Sequence, residues 1–232
     1  MDLSAEGVPP DPSVSDPSAL ARPDLFDPVR QALRGLSRRR GRARAGSAGA
    51  SGAGPSARAA VLVPLFPGAE GLEVLLIRRP DTLRAHAGQV ACPGGKLDPG
   101  ETEEQAALRE TQEELGIDPA RVELLGALHD IDTSTGFLIS PWVGRLDPSA
   151  LQGLVPDPAE VARVFTAPLA ALADPQRGRL EIRPWEVAGR TYDVPYFHWE
   201  GELIWGATGR LLLDLLDLLW PEKRLRERRV PT

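Results

Sequence analysis

A chain of 232 residues, 42% hydrophobic and 26% charged, is long enough for one domain with a proper core plus extensions, or at most two small domains. Its net charge of -6 and pI of about 5.2 argue against bulk electrostatic binding to nucleic acid or to an anionic membrane. Local arginines and a bound metal can still serve an anionic substrate. Cys92 is the only cysteine, so no internal disulfide forms. The opening MDLSAEGVPPDP is acidic and broken by proline, and the apolar run LLLDLLDLLW is interrupted by Asp214 and Asp217 and too short to span a bilayer. The expectation is a cytoplasmic protein.

Residues 1–56 read as an N-terminal arm. Its first 20 residues are rich in Pro, Ser and Asp and are expected to be disordered. DLFDPVRQALRGLSRRR (24–40) places Leu25, Val29, Leu33 and Leu36 at helical spacing. GRARAGSAGASGAGPSA then reads as a flexible linker. The basic run SRRRGRARAG is expected to be a solvated tail, with nucleic-acid or partner contact as the sharper alternative. The domain proper is placed at 57–225, followed by a tail at 226–232.

AAVLVPLF (59–66) and LEVLLIRR (72–79) read as strands joined through PGAEG. After the turn DPGE, Thr102 caps a helix, and Gln105 three residues later completes a capping box. Leu108, Thr111 and Leu115 are expected to share its apolar stripe, with Glu110, Glu113 and Glu114 well away from it and Gly116 as the C-cap. Strands are expected at 122–130 and 136–146, and a strand with a short helix in AEVARVFTAPLAALAD. RLEIRPWEV, TYDVPYFHWEG and LIWG read as late strands around a turn at Ala188–Gly189–Arg190, and GATGRLLLDLLDLLW as a closing amphipathic helix. Mixed strands with a central and a terminal helix make an α/β (α+β) layered domain.

The stretch RETQEELG (109–116) crowds three carboxylates, Glu110, Glu113 and Glu114, within about one helical turn. On a wet surface such like-charge pairs cost about 0.2–0.5 kcal/mol each. In a cleft at an effective dielectric of 20 and about 6 Å separation the repulsion grows to roughly 3 kcal/mol per pair. The cluster is therefore either a solvated face or a site for cations, and hard oxygen donors suit Mg²⁺ or Mn²⁺.

Reading outward, GKLDPGETEEQAALRETQEELGI (95–117) resembles the signature of the Nudix hydrolases, G-x5-E-x7-R-E-U-x-E-E-x-G-U, where U is a bulky aliphatic residue. Gly95, Glu101, Arg109, Glu110, Glu113, Glu114, Gly116 and Ile117 match it, and Thr111 stands where an aliphatic is usual. The Thr111 hydroxyl can bond back to a helical carbonyl, so little functional damage is expected. The resemblance, which runs from about Ala59 to Trp220, implies a Nudix fold with a mixed β-sheet sandwiched between helices. It implies metal ligation by Glu110 and Glu114, supplemented by Glu113 and the Gly95 carbonyl. Glu101 and Arg109 become a scaffold ion pair, and the metals act as Lewis acids on a diphosphate. A homodimer is plausible on the same resemblance.

Upstream, LLIRRPDTLRAHAGQVACPGGK resembles the motif of the coenzyme A pyrophosphatase branch, L-L-T-x-R-S-x3-R-x3-G-x-V-x-F-P-G-G, with Ile77, Pro80 and Cys92 as departures. Leu75, Leu76, Arg78 or Arg79, Arg84, Gly88, Val90, Pro93, Gly94 and Gly95 carry it. Arg79, Arg84, His86 and Gln89 are the candidates for gripping phosphate, Arg offering a bidentate fork. A surface ion pair for Arg84 and a loop-structuring role for His86 are the plainer readings. Phe137 is either an adenine platform or a packing residue. Glu160 sits where relatives carry an acidic residue over the metals, as general base or ligand, or is a plain surface residue. Glu113 is the other candidate catalytic carboxylate. Cys92 is expected to be a small buried hydrophobe, and His129 and His198 to be structural.

The expected activity is metal-dependent cleavage of coenzyme A or an acyl-CoA to 3′,5′-ADP and a 4′-phosphopantetheine species. The alternatives are a Nudix pyrophosphatase acting on ADP-ribose, NADH or another nucleoside diphosphate derivative, and a nucleotide-sensing module without turnover.

Overall fold

The computed structural model describes residues 24–36, 57–133, 136–187, 190–223 and 225–227. Most of the expected arm and linker, the basic run at 37–46 and the Ala188–Gly189 turn lie outside the described residues. In chain order the elements are α1 (Asp27–Gly35), β1 (Ala57–Gly68), β2 (Gly71–Arg78), β3 (Val90–Ala91), β4 (Gly94–Lys96) and α2 (Glu103–Leu115). They continue with β5 (Val122–Ala127), β6 (Ile131–Asp132), β7 (Phe137–Leu146), β8 (Arg163–Pro168) and α3 (Leu169–Leu172). β9 (Glu181–Val187), β10 (Arg190–Trp199), β11 (Glu202–Ile204) and α4 (Gly206–Leu219) close the chain.

The main sheet runs β3-β2-β1-β7-β5, with β4 on β1, β6 on β7 and β8 on β2. β1 and β7 pair in parallel and the other pairs are antiparallel, so the sheet is mixed. β9, β10 and β11 form a second, three-stranded antiparallel sheet.

Strands covered on both faces read as nearly continuous apolar runs, and β1 and β2 are of this kind. Ala60 and Leu62 of β1 pack with Ala106 and Ala107 of α2, while Val63 and Leu65 join the opposite core with Phe26, Leu212 and Leu216. In β2, Leu75 and Ile77 meet Leu115 and Ile117, whereas Val74 and Leu76 face the other way. The sheet is thus sandwiched, α2 on one face, α1 and α4 on the other.

Two side chains, Leu25 and Leu108, fall off the stripes expected of them. The helix of the N-terminal arm is docked on the domain: Phe26, Val29 and Leu33 are buried in the main core, and Leu25, which the spacing had included, faces solvent. Each such side chain adds about 1.5–3 kcal/mol, an upper figure, so α1 is an integral layer. At the C-terminal end Leu225 is buried and Arg226 forms ion pairs with Asp214 and Asp217 of α4. Finally, the apolar stripe of α2 is Ala107, Thr111 and Leu115 rather than one through Leu108. Leu108 instead lines a shallow cleft of about 540 Å³ with Pro99, Gly100, Gln112 and Pro119.

Candidate active site

α2 carries the site because both of its ends are fixed locally. Thr102 accepts the Gln105 N–H while the Gln105 side chain accepts the Thr102 N–H, and Gly116 takes the left-handed conformation that ends the helix. Thr111 donates its hydroxyl proton to the Ala107 carbonyl at 2.7 Å, so the polar atom on the core stripe is satisfied.

The three glutamates occupy different environments. Glu114 is buried at 1% exposure, Glu110 is half-buried, and the Glu113 side chain is 60% exposed. The expectation that all three stand clear of the core therefore fails at Glu114, since docking on the sheet covers the position beside Leu115. Glu114 accepts the Gly94 N–H at 3.0 Å and an Arg79 guanidinium proton at 3.3 Å. Burial pushes its carboxyl up to about 8, against the pull of Gly94 and Arg79. Burial also raises Glu110, opposed by Arg109.

Arg109 lies among four oxygen groups. Its Nε and Nη2 grip Glu101 at 2.9 and 3.1 Å, its Nη1 reaches Glu110 at 3.0 Å and Glu113 at 2.8 Å, and Nη2 also donates to the Lys96 carbonyl at 3.0 Å. Hydrogen bonding from Arg109 holds Glu101 below the usual carboxylate range. One guanidinium thereby ties the loop before α2 to the face of the helix.

Gly95 has a steric reason to be glycine. A Cβ there would lie 2.3 Å from the Glu110 carboxyl, so the carboxylate rests directly on the Gly95 backbone in β4. The pairing of Gly95 with Ala60 holds that backbone in place.

Glu160 reaches the same place from a different element. The Asp157 N–H bonds to the Glu114 carbonyl at 3.0 Å and the Ala162 N–H to the Arg78 carbonyl at 2.8 Å, slinging the 157–162 turn between α2 and β2. The Glu160 side chain, 48% exposed, then lies 3.6 Å from Arg79. Arg79 thus stands between Glu114 and Glu160, an arrangement that no local spacing in the sequence signals.

The loop after β2 is closed by an Arg79 N–H bond to the Gln89 carbonyl at 2.9 Å. His86 Nδ1 and Gln89 Oε1 are 2.8 Å apart, and His86 adopts a positive φ of 58°. Arg84 is exposed and has no ion-pair partner among the described residues. Phe137, at the start of β7, is half-buried with the Lys96 ammonium 5.4 Å above its ring, so one face is already covered. Cys92 is buried, and burial pushes its thiol up, away from reactivity.

Glu110, Glu113, Glu114 and the Gly95 carbonyl are hard oxygen donors of the kind that Mg²⁺ and Mn²⁺ take, and the Gly95 cradle leaves a carboxylate at the backbone surface. Their chemistry fits such an ion. Among the described residues, however, no three His, Cys, Asp or Glu side chains converge as a ready cluster. Guanidiniums are the cations that these carboxylates meet, Arg109 at Glu110 and Glu113 and Arg79 at Glu114.

The NUDIX domain family matches residues 56–188. The chain belongs to the Nudix family. An uncharacterised Nudix hydrolase, NudL, from Photorhabdus laumondii subsp. laumondii is 40% identical over 159 residues, 68% of this chain and 82% of the relative. The mitochondrial Nudix hydrolase 15 of Arabidopsis thaliana is 35% identical over 162 residues, 67% of this chain and 56% of the relative. A solved Ap4A hydrolase of C. elegans is similar at 26% identity, over 49% of this chain and 81% of its own, with a TM-score of 0.41. Nudix hydrolases bind small nucleotide-derived substrates and generally use divalent metals such as Mg²⁺ or Mn²⁺. No helix among the described residues is long and apolar enough to cross a membrane.

Proposed function

We propose that this Nudix hydrolase cleaves the diphosphate linkage of coenzyme A or an acyl-CoA, giving 3′,5′-ADP and a 4′-phosphopantetheine species, in the cytoplasm. The observation that carries the reading is the loop at 80–89. Its anchor, Arg79, pairs with Glu114 and Glu160, which supports reading Arg84, His86 and Gln89 on that loop as the groups that meet the substrate.

Glu110, Glu114, Glu113 and the Gly95 carbonyl would hold Mg²⁺ or Mn²⁺, which would supply Lewis-acid activation of the diphosphate and of a water. The rest falls to the chain's own side chains. Arg84 offers a bidentate guanidinium to phosphate oxygens, and His86, held by Gln89, adds a second polar contact. Glu160, whose half-exposed carboxylate close to Arg79 supports the role, takes the proton from an attacking water. Glu113 is the less favoured base because Arg109 engages it at 2.8 Å. Phe137, half-buried under Lys96, is the candidate platform for the adenine ring. Glu101 and Arg109 hold the preceding loop on α2. Where two copies associate, a homodimer is the expected form.

The competing enzyme reading, ADP-ribose or NADH, uses the same box without needing the upstream motif. A sensing module without turnover is disfavoured by the retention of every box carboxylate. The test is a product assay with purified protein and Mg²⁺ or Mn²⁺. Release of 3′,5′-ADP from coenzyme A supports the proposal, and coenzyme A left intact while ADP-ribose is cleaved overturns it.

A further inference from the structure

The register of β2 and β8 places Arg78 directly opposite Arg163. Like charges facing each other across a sheet oppose pairing, by about the same fraction of a kcal/mol that opposite charges add. The carboxylate that relieves them comes from outside the span matched by the family. Glu202, in β11, lies 2.9 Å from Arg163 Nη1 and 3.7 Å from Arg78 Nε, with its side chain only 14% exposed. The far end of the Arg78 guanidinium is gripped by Asp81, whose two oxygens lie 2.8 and 3.0 Å from Nη2. Asp81 in turn braces the return of the loop. Gly88 has a φ of +66°, and a Cβ there would fall 2.4 Å from Asp81 Oδ1 and 3.3 Å from Arg78 Nη2. The backbone of Arg78 serves the other side of the site, its carbonyl accepting the Ala162 N–H that ends the Glu160 turn. β11 also packs against β3, the strand into which the loop runs.

We propose that Glu202 is a positioning residue for the substrate loop: by clamping Arg78 and Arg163 together from the second sheet, it holds Asp81 and the 80–89 loop in the geometry that presents Arg84 and His86. It touches no reacting atom. The clamp links the C-terminal sheet to substrate affinity and leaves the box carboxylates untouched. The inference rests on the reading of 80–89 as the substrate loop, and the test separates the two.

Full-length Glu202→Gln, Glu202→Asp and Arg84→Ala are compared with the parent protein by steady-state kinetics on whichever diphosphate it hydrolyses, and by hydrogen exchange of backbone amides. Glu202→Gln is expected to raise KM about five- to tenfold with kcat within about twofold, the size of one or two partly exposed charge contacts. Amide exchange should rise in 81–89 with α2 unchanged, and Glu202→Asp should recover part of both effects. Unchanged exchange in 81–89, or exchange that rises equally across the whole sheet, overturns the proposal, and needs no substrate to be known. An elevated KM for Arg84→Ala with a normal KM for Glu202→Gln also overturns it while leaving the loop reading intact. A normal KM for Arg84→Ala removes the loop reading itself.

Discussion

Between Gly95 and Ile117 the charged side chains of the site are tied to one another and to backbone, whereas in the loop from Pro80 to Gln89 the groups proposed to meet a ligand, Arg84 and His86, stand in solvent. Arg109 alone joins Glu101, Glu110, Glu113 and the Lys96 carbonyl, and both ends of α2 are capped. The loop is closed by the Arg79 to Gln89 backbone bond and braced by Asp81, and it leaves Arg84 and His86 exposed. The difference matches a division of labour. Groups that hold charge for a chemical step gain from rigidity, while groups that select a substrate gain from reach and exchangeable partners.

The sharpest way to break that comparison is at Glu114. Glu114→Gln keeps an acceptor for the Gly94 N–H but removes the carboxyl group proposed to hold the metal, so turnover should fall about 10²–10³-fold, the scale of losing one preorganised electrostatic group. The protein should remain folded by circular dichroism, and full turnover in this variant would refute a role for α2 in the chemistry. Next in size, Arg84→Ala should raise KM about tenfold through loss of a charge-assisted phosphate contact, leaving kcat nearly unchanged. A fall in kcat without a change in KM would assign the loop to chemistry and erase the contrast.

Two smaller effects bear on the rigidity of α2. Thr102→Ala should cost about 1 kcal/mol of stability in urea titration, with KM unaltered, because it removes only the cap. The Glu101 carboxyl is held below its ordinary value by Arg109, so its contribution to stability is present above an unfolded pKa of about 4.5 and is lost as pH falls through the lower folded value. Thermal unfolding between pH 6 and 3 should therefore show a weaker acid dependence in Glu101→Gln than in the parent. An identical dependence would show that the pair with Arg109 contributes nothing.

What the sequence makes legible follows from how local each cause is. The Thr102–Gln105 capping box, the Gly116 end and the back-bonding Thr111 depend on residues within one or two turns, and each stands as expected. The mixed sheet between helices also stands as expected. Strands of two or three residues such as β3 and β4 carry no readable period, since their pairing with β2 and β1 defines them. The burial of Glu114 and the half-burial of Leu108 depend on the angle at which α2 docks, and a shift of one position along the helix changes which residues face the sheet. Phe26 reaches a core built from strands far from it in sequence. Among the candidate site residues, the structure brings Gly95, Glu101, Arg109, Glu110, Glu113, Glu114, Arg79 and Glu160 into one network and sets Arg84, His86 and Gln89 on the adjoining loop. Phe137 stands apart from that network, beside Lys96. The Arg79 and Glu202 contacts join positions 35 or more residues apart in sequence, beyond any motif spacing.

The central claim, that loop 80–89 directs this Nudix site to coenzyme A, is tested most directly by competition. Equimolar coenzyme A, ADP-ribose and NADH are incubated together with the purified protein and Mn²⁺, and the three products are followed over time. The account predicts that 3′,5′-ADP and 4′-phosphopantetheine appear first and that Arg84→Ala erases this preference. Coenzyme A surviving while ADP-ribose or NADH is consumed would contradict it.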